Sequence, residues 1–282
     1  ESRGLGDVYK RQQLLYGKEA MDKLKNSRVA ILGLGGVGGY VGEALVRSGI
    51  GSFDLIDDDK ICLTNLNRQI IATFDTVGQY KTDVMKERML KINPKVNIQT
   101  HQCFFLPENA SDFSFEDYDY IIDAIFGIGL SRAVEGRYAQ VIEAINKARE
   151  NPDTKIIAVD IASGISADNG QIMGIAVKAD YTITFGYNKT GIMFYPGASY
   201  SGSVKVINAG FVTEDILHKK VKCFGSIFTY DDEDVGRLLV RKPDSNKGTY
   251  GRTLIIAGSK NMGGAAILSA SAAYRSLSLI HI

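Results

Sequence analysis

Residues 118–132 read Y-D-Y-I-I-D-A-I-F-G-I-G-L-S-R. The run 120–124 is short, apolar and isoleucine-rich, the pattern of a strand buried on both faces of a sheet. The glycines at 127 and 129 then break the pattern, so a loop comes next. Asp123 falls near the carboxyl end of that strand, where open α/β sheets place their ligands.

The same punctuation recurs on both sides. Upstream, residues 14–25 carry helical periodicity. Residues 28–32 form an apolar run ended by G-L-G-G-V-G-G, which predicts a strand, a tight turn and a helix over 38–48. A second strand is expected at 53–56, closed by Asp57, Asp58 and Asp59. A helix is expected at 81–92, stopped by Asn93-Pro94, and then a strand at 96–101. Downstream, a helix is expected over 134–149 and strands at 155–160, 181–185 and 204–207. This alternation predicts an α/β protein with a doubly wound, mostly parallel sheet. A second domain is expected from residue 228. It would hold a helix over 231–240, a glycine-containing loop at 247–252, a strand at 253–257 and a small-residue helix opening at 258–264.

The chain has 282 residues, enough for one large domain or two ordinary ones. Its net charge of +1 supplies no global field toward nucleic acid or an anionic membrane. The apolar stretches are too short to span a bilayer. Cys62, Cys103 and Cys223 stand far apart and form no C-x-x-C pair. That argues against a zinc knuckle or a disulfide framework and fits a reducing, cytoplasmic setting. Residues 1–12 show no periodicity continuous with the helical segment at 14–25, and residues 276–282 interrupt a helix with an apolar tail. Both are expected to be non-native.

Gly33, Gly35, Gly36 and Gly38 lie between a strand and a helix. Glycine permits the tight turn and lets backbone N–H groups approach a phosphate. Asp57 closes the next strand, about where a ribose-hydroxyl acceptor is expected. The alternative for the turn is tight packing with no ligand. T-N-L-N-R stands at 64–68 and V-G-Q-Y-K at 77–81. Over residues 13–124 these ordered motifs resemble the ubiquitin-activating-like (ThiF-type) adenylating family, and within it the tRNA threonylcarbamoyladenosine dehydratases. The resemblance implies a Rossmann-like half that binds ATP, with Gly36 at the phosphates and Asp57 on the ribose. Asn65, Arg68 and Lys81 would then contact the triphosphate, where charged donors suit phosphoryl oxygens. Otherwise Arg68 and Lys81 are surface charges. The family's second metal-holding acid, three residues after the match to Asp123, is Phe126 here, which cannot ligate magnesium. Magnesium neutralises the leaving pyrophosphate in adenylation, so little or no adenylating activity is expected.

Beyond residue 119 the motifs change. D-A-I-F-G-I-G-L-S-R-A-V-E-G occupies 123–136, V-D-I-A-S-G-I 159–165 and A-D-Y-T-I-T-F-G 179–186, with K-T-G at 189–191 and Y-P-G at 195–197. Residues 119–215 resemble the NAD(P)H-hydrate epimerases. Residues 228–275, with V-R-K-P-D-S-N at 240–246, resemble the start of an ADP- or ATP-dependent NAD(P)H-hydrate dehydratase, a truncated ribokinase-like α/β domain. The resemblance implies that hydrated NAD(P)H is the substrate. Epimerisation needs a positioned acid/base as the ring hydroxyl leaves and returns, and Asp160, at a strand's carboxyl end, is the candidate. Gly127, Ile128, Gly129 and Leu130, with Ser131, Arg132 and Ala133, would wrap phosphate or ribose beside it. Asp123 and Ser163 would hold a potassium ion. The alternative for both aspartates is helix cap or loop anchor. The family's N-N-G-G-D potassium and substrate loop is not in this sequence, and residues 33–39 occupy its place.

Three readings are open. One is repair of hydrated NAD(P)H, impaired in this chain. Another is ATP-dependent adenylation, with tRNA as partner. The third is an inactive hybrid joined at a strand both families share, residues 119–124. The sequence is compatible with a homo-oligomer and does not set the oligomeric state. Swapping halves at a shared strand keeps right-handed crossovers, but packing across the join was not selected, so marginal stability or a molten core is expected.

Overall fold

The computed structural model describes residues 9–102, 115–210, 227, 244 and 253–275. The chain divides into two compact units, Glu1–Lys222 and Cys223–Ile282. In the first, α1 (Lys10–Tyr16) and α2 (Lys18–Asn26) lead into β1 (Arg28–Leu32), α3 (Gly38–Ser48) and β2 (Ser52–Ile56). Then come α4 (Lys81–Ile92), β3 (Asn97–His101), β4 (Tyr120–Asp123) and α5 (Arg137–Ala148). The unit closes with β5 (Lys155–Val159), β6 (Tyr181–Phe185), α6 (Thr190–Met193) and β7 (Ser203–Ile207). Seven strands form one sheet in the order β3-β2-β1-β4-β5-β6-β7, and every neighbouring pair is parallel. The strand order reverses direction between β1 and β4, so a crevice is expected outside their carboxyl ends.

Residues of β1 alternate between two apolar layers. Ala30 and Leu32 pack with Ile142 and Ile145 of α5, while Val29 and Ile31 pack with Val46 of α3 and Met85 and Met89 of α4. Burial on both faces is why the central strands read as unbroken apolar runs. The stretch at 118–132 is clamped to β1 at its start: the Arg28 N–H donates to Asp119 Oδ2 at 2.8 Å, and the Asp119 N–H returns a bond to the Arg28 carbonyl at 3.1 Å. Ile142 is fully buried, so Ile142→Val should lower stability by about 0.5–1.5 kcal/mol in urea unfolding. A loss indistinguishable from zero would mean that this face is molten rather than packed.

Two expectations need correction. The helix expected over 14–25 is two helices, broken at Gly17, whose φ of 82° no continuing helix tolerates. The first of these starts earlier than expected. The Tyr9 hydroxyl donates to the Val46 carbonyl and Gln12 Nε2 to the Arg47 carbonyl, each at 3.0 Å. In the second unit, residues 253–257 are not a strand. Leu254 and Ile256 stand exposed there, and no ladder among the described residues pairs with this run. The small-residue helix is present as α7 (Gly264–Arg275). The expectations for residues 1–8, 228–243, 245–252 and 276–282 lie outside the described residues. No helix among the described residues is long and apolar enough to cross a membrane.

Candidate nucleotide and hydrate site

The turn after β1 is built by contacts only glycine allows. Gly33 has φ of +93°, and a Cβ there would sit 2.2 Å from the Ala124 carbonyl oxygen. A Cβ on Gly38 would sit 1.9 Å from the Gly33 carbonyl oxygen. These two residues press the turn down onto β4. Gly35 is the opposite case, with no heavy atom within 4 Å of its Cβ position, and Gly36 meets only Arg68 Cγ at 3.7 Å and Cδ at 3.8 Å. The outer half of the turn is therefore open.

Asp57, buried just past the end of β2, ties this turn down. Its Oδ2 accepts from the Leu34 N–H at 2.6 Å and its Oδ1 from the Asp59 N–H at 2.8 Å. Burial pushes its carboxyl above the usual value, against the pull of Lys81 and of those two N–H groups. Lys81 is buried and lies 2.6 Å from Asp59 Oδ2 and 3.7 Å from Asp57 Oδ1. Its charge is thus matched by the acid run, and it would reach a phosphate only by exchanging a carboxylate for it. Asn65 is buried, and its Oδ1 accepts from the Cys62 N–H at 3.0 Å. Arg68 is exposed and donates to the Thr64 carbonyl at 2.8 Å. Among the described residues one group of three acids, Asp57, Asp58 and Asp59, has ligand atoms close enough to share an ion, and Lys81 and Arg137 already pair with it. Phe126, where a second acid would be needed, packs its ring on Tyr138 at 5.1 Å.

On the other side of the reversal, the structure brings Asp123 and Ser163 together. Both are fully buried. The Ser163 hydroxyl donates to Asp123 Oδ1 at 2.5 Å and its N–H to Oδ2 at 2.8 Å. The Phe126 carbonyl oxygen lies 3.3 Å from the same hydroxyl. Burial pushes the Asp123 carboxyl up to about 6, although Ser163 and the Ile125 N–H hold it lower than burial alone would. The hydroxyl and the carbonyl add two hard oxygens to those of a desolvated carboxylate, donor types that a monovalent cation takes, and such a charge would offset the burial.

Asp160 lies just past β5 with φ of 72°, a left-handed conformation that costs a non-glycine residue energy and clusters at functional sites. Its Oδ1 accepts from Lys189 Nζ at 2.5 Å and from Thr184 Oγ1 at 3.1 Å. Lys189 also donates to Thr184 Oγ1 at 2.8 Å and to the Phe185 carbonyl at 2.9 Å. Lys189 is the partner that sequence reasoning left without a role; its place in the K-T-G motif was the available signal. Gly127, Ile128, Gly129, Ser131, Arg132 and Ala133 are exposed, with Leu130 half-buried, so this loop forms a rim beyond β4. Arg137, at the start of α5, reaches Asp58 beyond β2 at 2.9 Å.

The model of the ThiF family matches residues 9–142. The chain is 39% identical over 158 residues to a tRNA threonylcarbamoyladenosine dehydratase of Bacillus subtilis, covering 55% of this chain and 62% of that protein. It is also 48% identical over 110 residues to an NAD(P)H-hydrate epimerase of Limosilactobacillus fermentum, covering 38% and 51%. A bifunctional NAD(P)H-hydrate repair enzyme of Thermofilum pendens is 40% identical over 151 residues, covering 54% and 27%. The chain thus spans less than two thirds of the length of each of these relatives. With ThiF-type sequence and NAD(P)H-hydrate epimerase sequence joined in one polypeptide, the chain is a hybrid of the two kinds of protein.

Proposed function

We propose that the chain repairs hydrated NAD(P)H by interconverting its R and S epimers, at a rate reduced by the replaced N-N-G-G-D loop. The observation that carries this reading is Asp160. It is held in a left-handed conformation at the carboxyl edge of the sheet and aligned by Lys189 and Thr184. Similarity to the epimerases supports it. The ring hydroxyl takes up a proton as it leaves as water, and gives one up as water returns to the other face. Asp160, as acid and then base, carries that proton both ways. Residues 127–133 would hold ribose or phosphate. Asp123, Ser163 and the Phe126 carbonyl would hold a potassium ion, which supplies positive charge beside the substrate. Asp160→Ala should slow interconversion about a hundredfold or more, measured by chromatography of the two epimers with and without potassium. Equal rates in the variant would reject Asp160 as the proton carrier.

The boundaries that accompany this reading are a ThiF-like half over 13–124, an epimerase-like half over 119–215 and a ribokinase-like dehydratase start from 228. A cytoplasmic homo-oligomer belongs with it. A second reading, ATP bound for adenylation of a tRNA-linked substrate, is favoured by one observation: the open backbone at Gly35 and Gly36 beside Arg68. Phe126 weighs against turnover through magnesium, so ATP would bind without releasing pyrophosphate. An inactive hybrid is the third reading, and absence of both hydrate interconversion and ATP binding would identify it.

A further inference from the structure

The glycine turn and the Asp160 cluster belong to different parent families, but they open on one edge of one sheet. Gly33 lies just past β1, Asp57 just past β2 and Asp160 just past β5, while Asp123 ends β4. In a sheet whose strands are all parallel, these carboxyl ends face the same way. We infer that a single nicotinamide adenine dinucleotide lies along this edge. Its adenosine ribose would sit at Asp57, its pyrophosphate over Gly35 and Gly36, and its nicotinamide at Asp160, with the non-phosphorylated form preferred over the 2′-phosphorylated one. The placement of the nicotinamide rests on the reading proposed above; the rest does not.

The distances favour a dinucleotide. From β2 through β1 and β4 to β5 there are three inter-strand steps of about 4.8 Å, roughly 14 Å in all. A mononucleotide engaged at Asp57 ends over the glycine turn and leaves Asp160 untouched. The dinucleotide's midpoint falls where the strand order reverses, the place at which such sheets hold a pyrophosphate. There the backbone is pressed onto β4 at Gly33 and Gly38 and is bare at Gly35. The spacing G-x-G-x-x-G at 33–38, with a carboxylate beyond the next strand, suits that ligand as well as it suits ATP.

Two further observations come from outside the turn. Gln69 is 7% exposed, and its Oε1 has no hydrogen-bond partner among the described residues. Its neighbours Arg68 and Ile70 lie against Gly36 and Gly39. A buried orphan acceptor is costly unless something donates to it, and a ribose hydroxyl or the adenine amine would. The Arg137–Asp58 pair also links the end of the rim that leads into α5 to the loop beyond β2. Asp57 sets the preference. Each of its oxygens has a lone pair left after the bonds from Leu34 and Asp59. It can accept from ribose hydroxyls and repels a 2′-phosphate.

The test is calorimetric titration of the full chain with NADH, NADPH and ATP. The inference requires one NADH per chain, displacement of NADH by ATP, and NADPH binding at least about tenfold weaker. A Cβ at Gly35 meets no heavy atom within 4 Å, so Gly35→Val puts bulk into the open half of the turn and should weaken NADH and ATP alike. Lys189→Met should weaken NADH and leave ATP unchanged. No saturable NADH binding, simultaneous binding of NADH and ATP, or equal affinity for NADPH would each overturn it. Those titrations use the unaltered chain and do not depend on how a variant folds. Absence of hydrate interconversion with NADH binding intact would instead remove the repair reading and with it the placement of the nicotinamide at Asp160, and leave the ribose and pyrophosphate placements standing.

Discussion

In potassium-free buffer at pH 7, Asp123→Asn is expected to stabilise the folded chain by up to about 3 kcal/mol. Asp123 is fully buried, and the groups that set its charge state are Ser163 and the Ile125 N–H, none of them cationic. Its carboxyl is pushed from 3.8 to about 6 by burial. A folded value above the unfolded one means that this group's contribution is complete below about pH 4 and is lost as pH rises through about 6. The amide is neutral throughout, so the gain should be absent at pH 4 and reach its full size near pH 7. Hydrogen bonding survives the change. The Asn oxygen can accept from the Ser163 N–H, and the Ser163 hydroxyl can rotate to donate to the Phe126 carbonyl, 3.3 Å away. Urea unfolding at the two pH values measures the difference. Added potassium should raise the midpoint of the unaltered chain and not that of Asp123→Asn. Identical midpoints at pH 7 without potassium would show that the buried carboxylate is already compensated.

Asp54→Ala should have the opposite sign and a similar size. Asp54 is buried on β2 and accepts from Arg28 Nε and bonds His101 Nε2, each at 3.0 Å. Arg28 also lies over the Tyr118 ring, 4.4 Å from its centroid, so this network ties β1, β2 and β3 to the start of the stretch at 118–132. Burial raises the Asp54 carboxyl, but hydrogen bonds from His101 and Arg28 outweigh burial and hold it below its ordinary value. Removing the acid leaves two donors without their partner. Because both can still reach solvent, the loss should sit at the lower end of the range for broken buried pairs, about 3 kcal/mol at pH 7. A folded value below the unfolded one makes this contribution present above about pH 4 and lost as pH falls further. The gap between the two proteins should therefore close in acid. A gap that persists at pH 2 would assign the loss to the missing side-chain volume instead.

These two carboxylates show what a hybrid sheet demands. The start of the stretch is held to β1 by backbone and side-chain bonds, and α5 covers β1 with Ile142 and Ile145. Apolar surface of roughly matching volume is enough to close such a layer, whereas buried charges need particular partners. Substitutions at Asp123 and Asp54 are therefore expected to matter more than a single methyl at Ile142.

Much of the sheet was legible in the chain itself. The bounds of β1, α3, α4 and β6 match their sequence expectations because each is an apolar run or periodic segment closed by glycine, proline or acid within a few residues. The glycine turn was legible for the same reason, since its glycines answer local steric demands. The helix break at Gly17 and the absent strand at 253–257 were not. A glycine in a periodic segment can continue or end a helix, and a strand exists only where a neighbour supplies hydrogen bonds. Strand order, the Ser163 bonds to Asp123 and the Lys189 bond to Asp160 came only with the tertiary structure. Those partners stand 40 and 29 residues apart, and no local pattern encodes which strand end will carry one chain segment beside another.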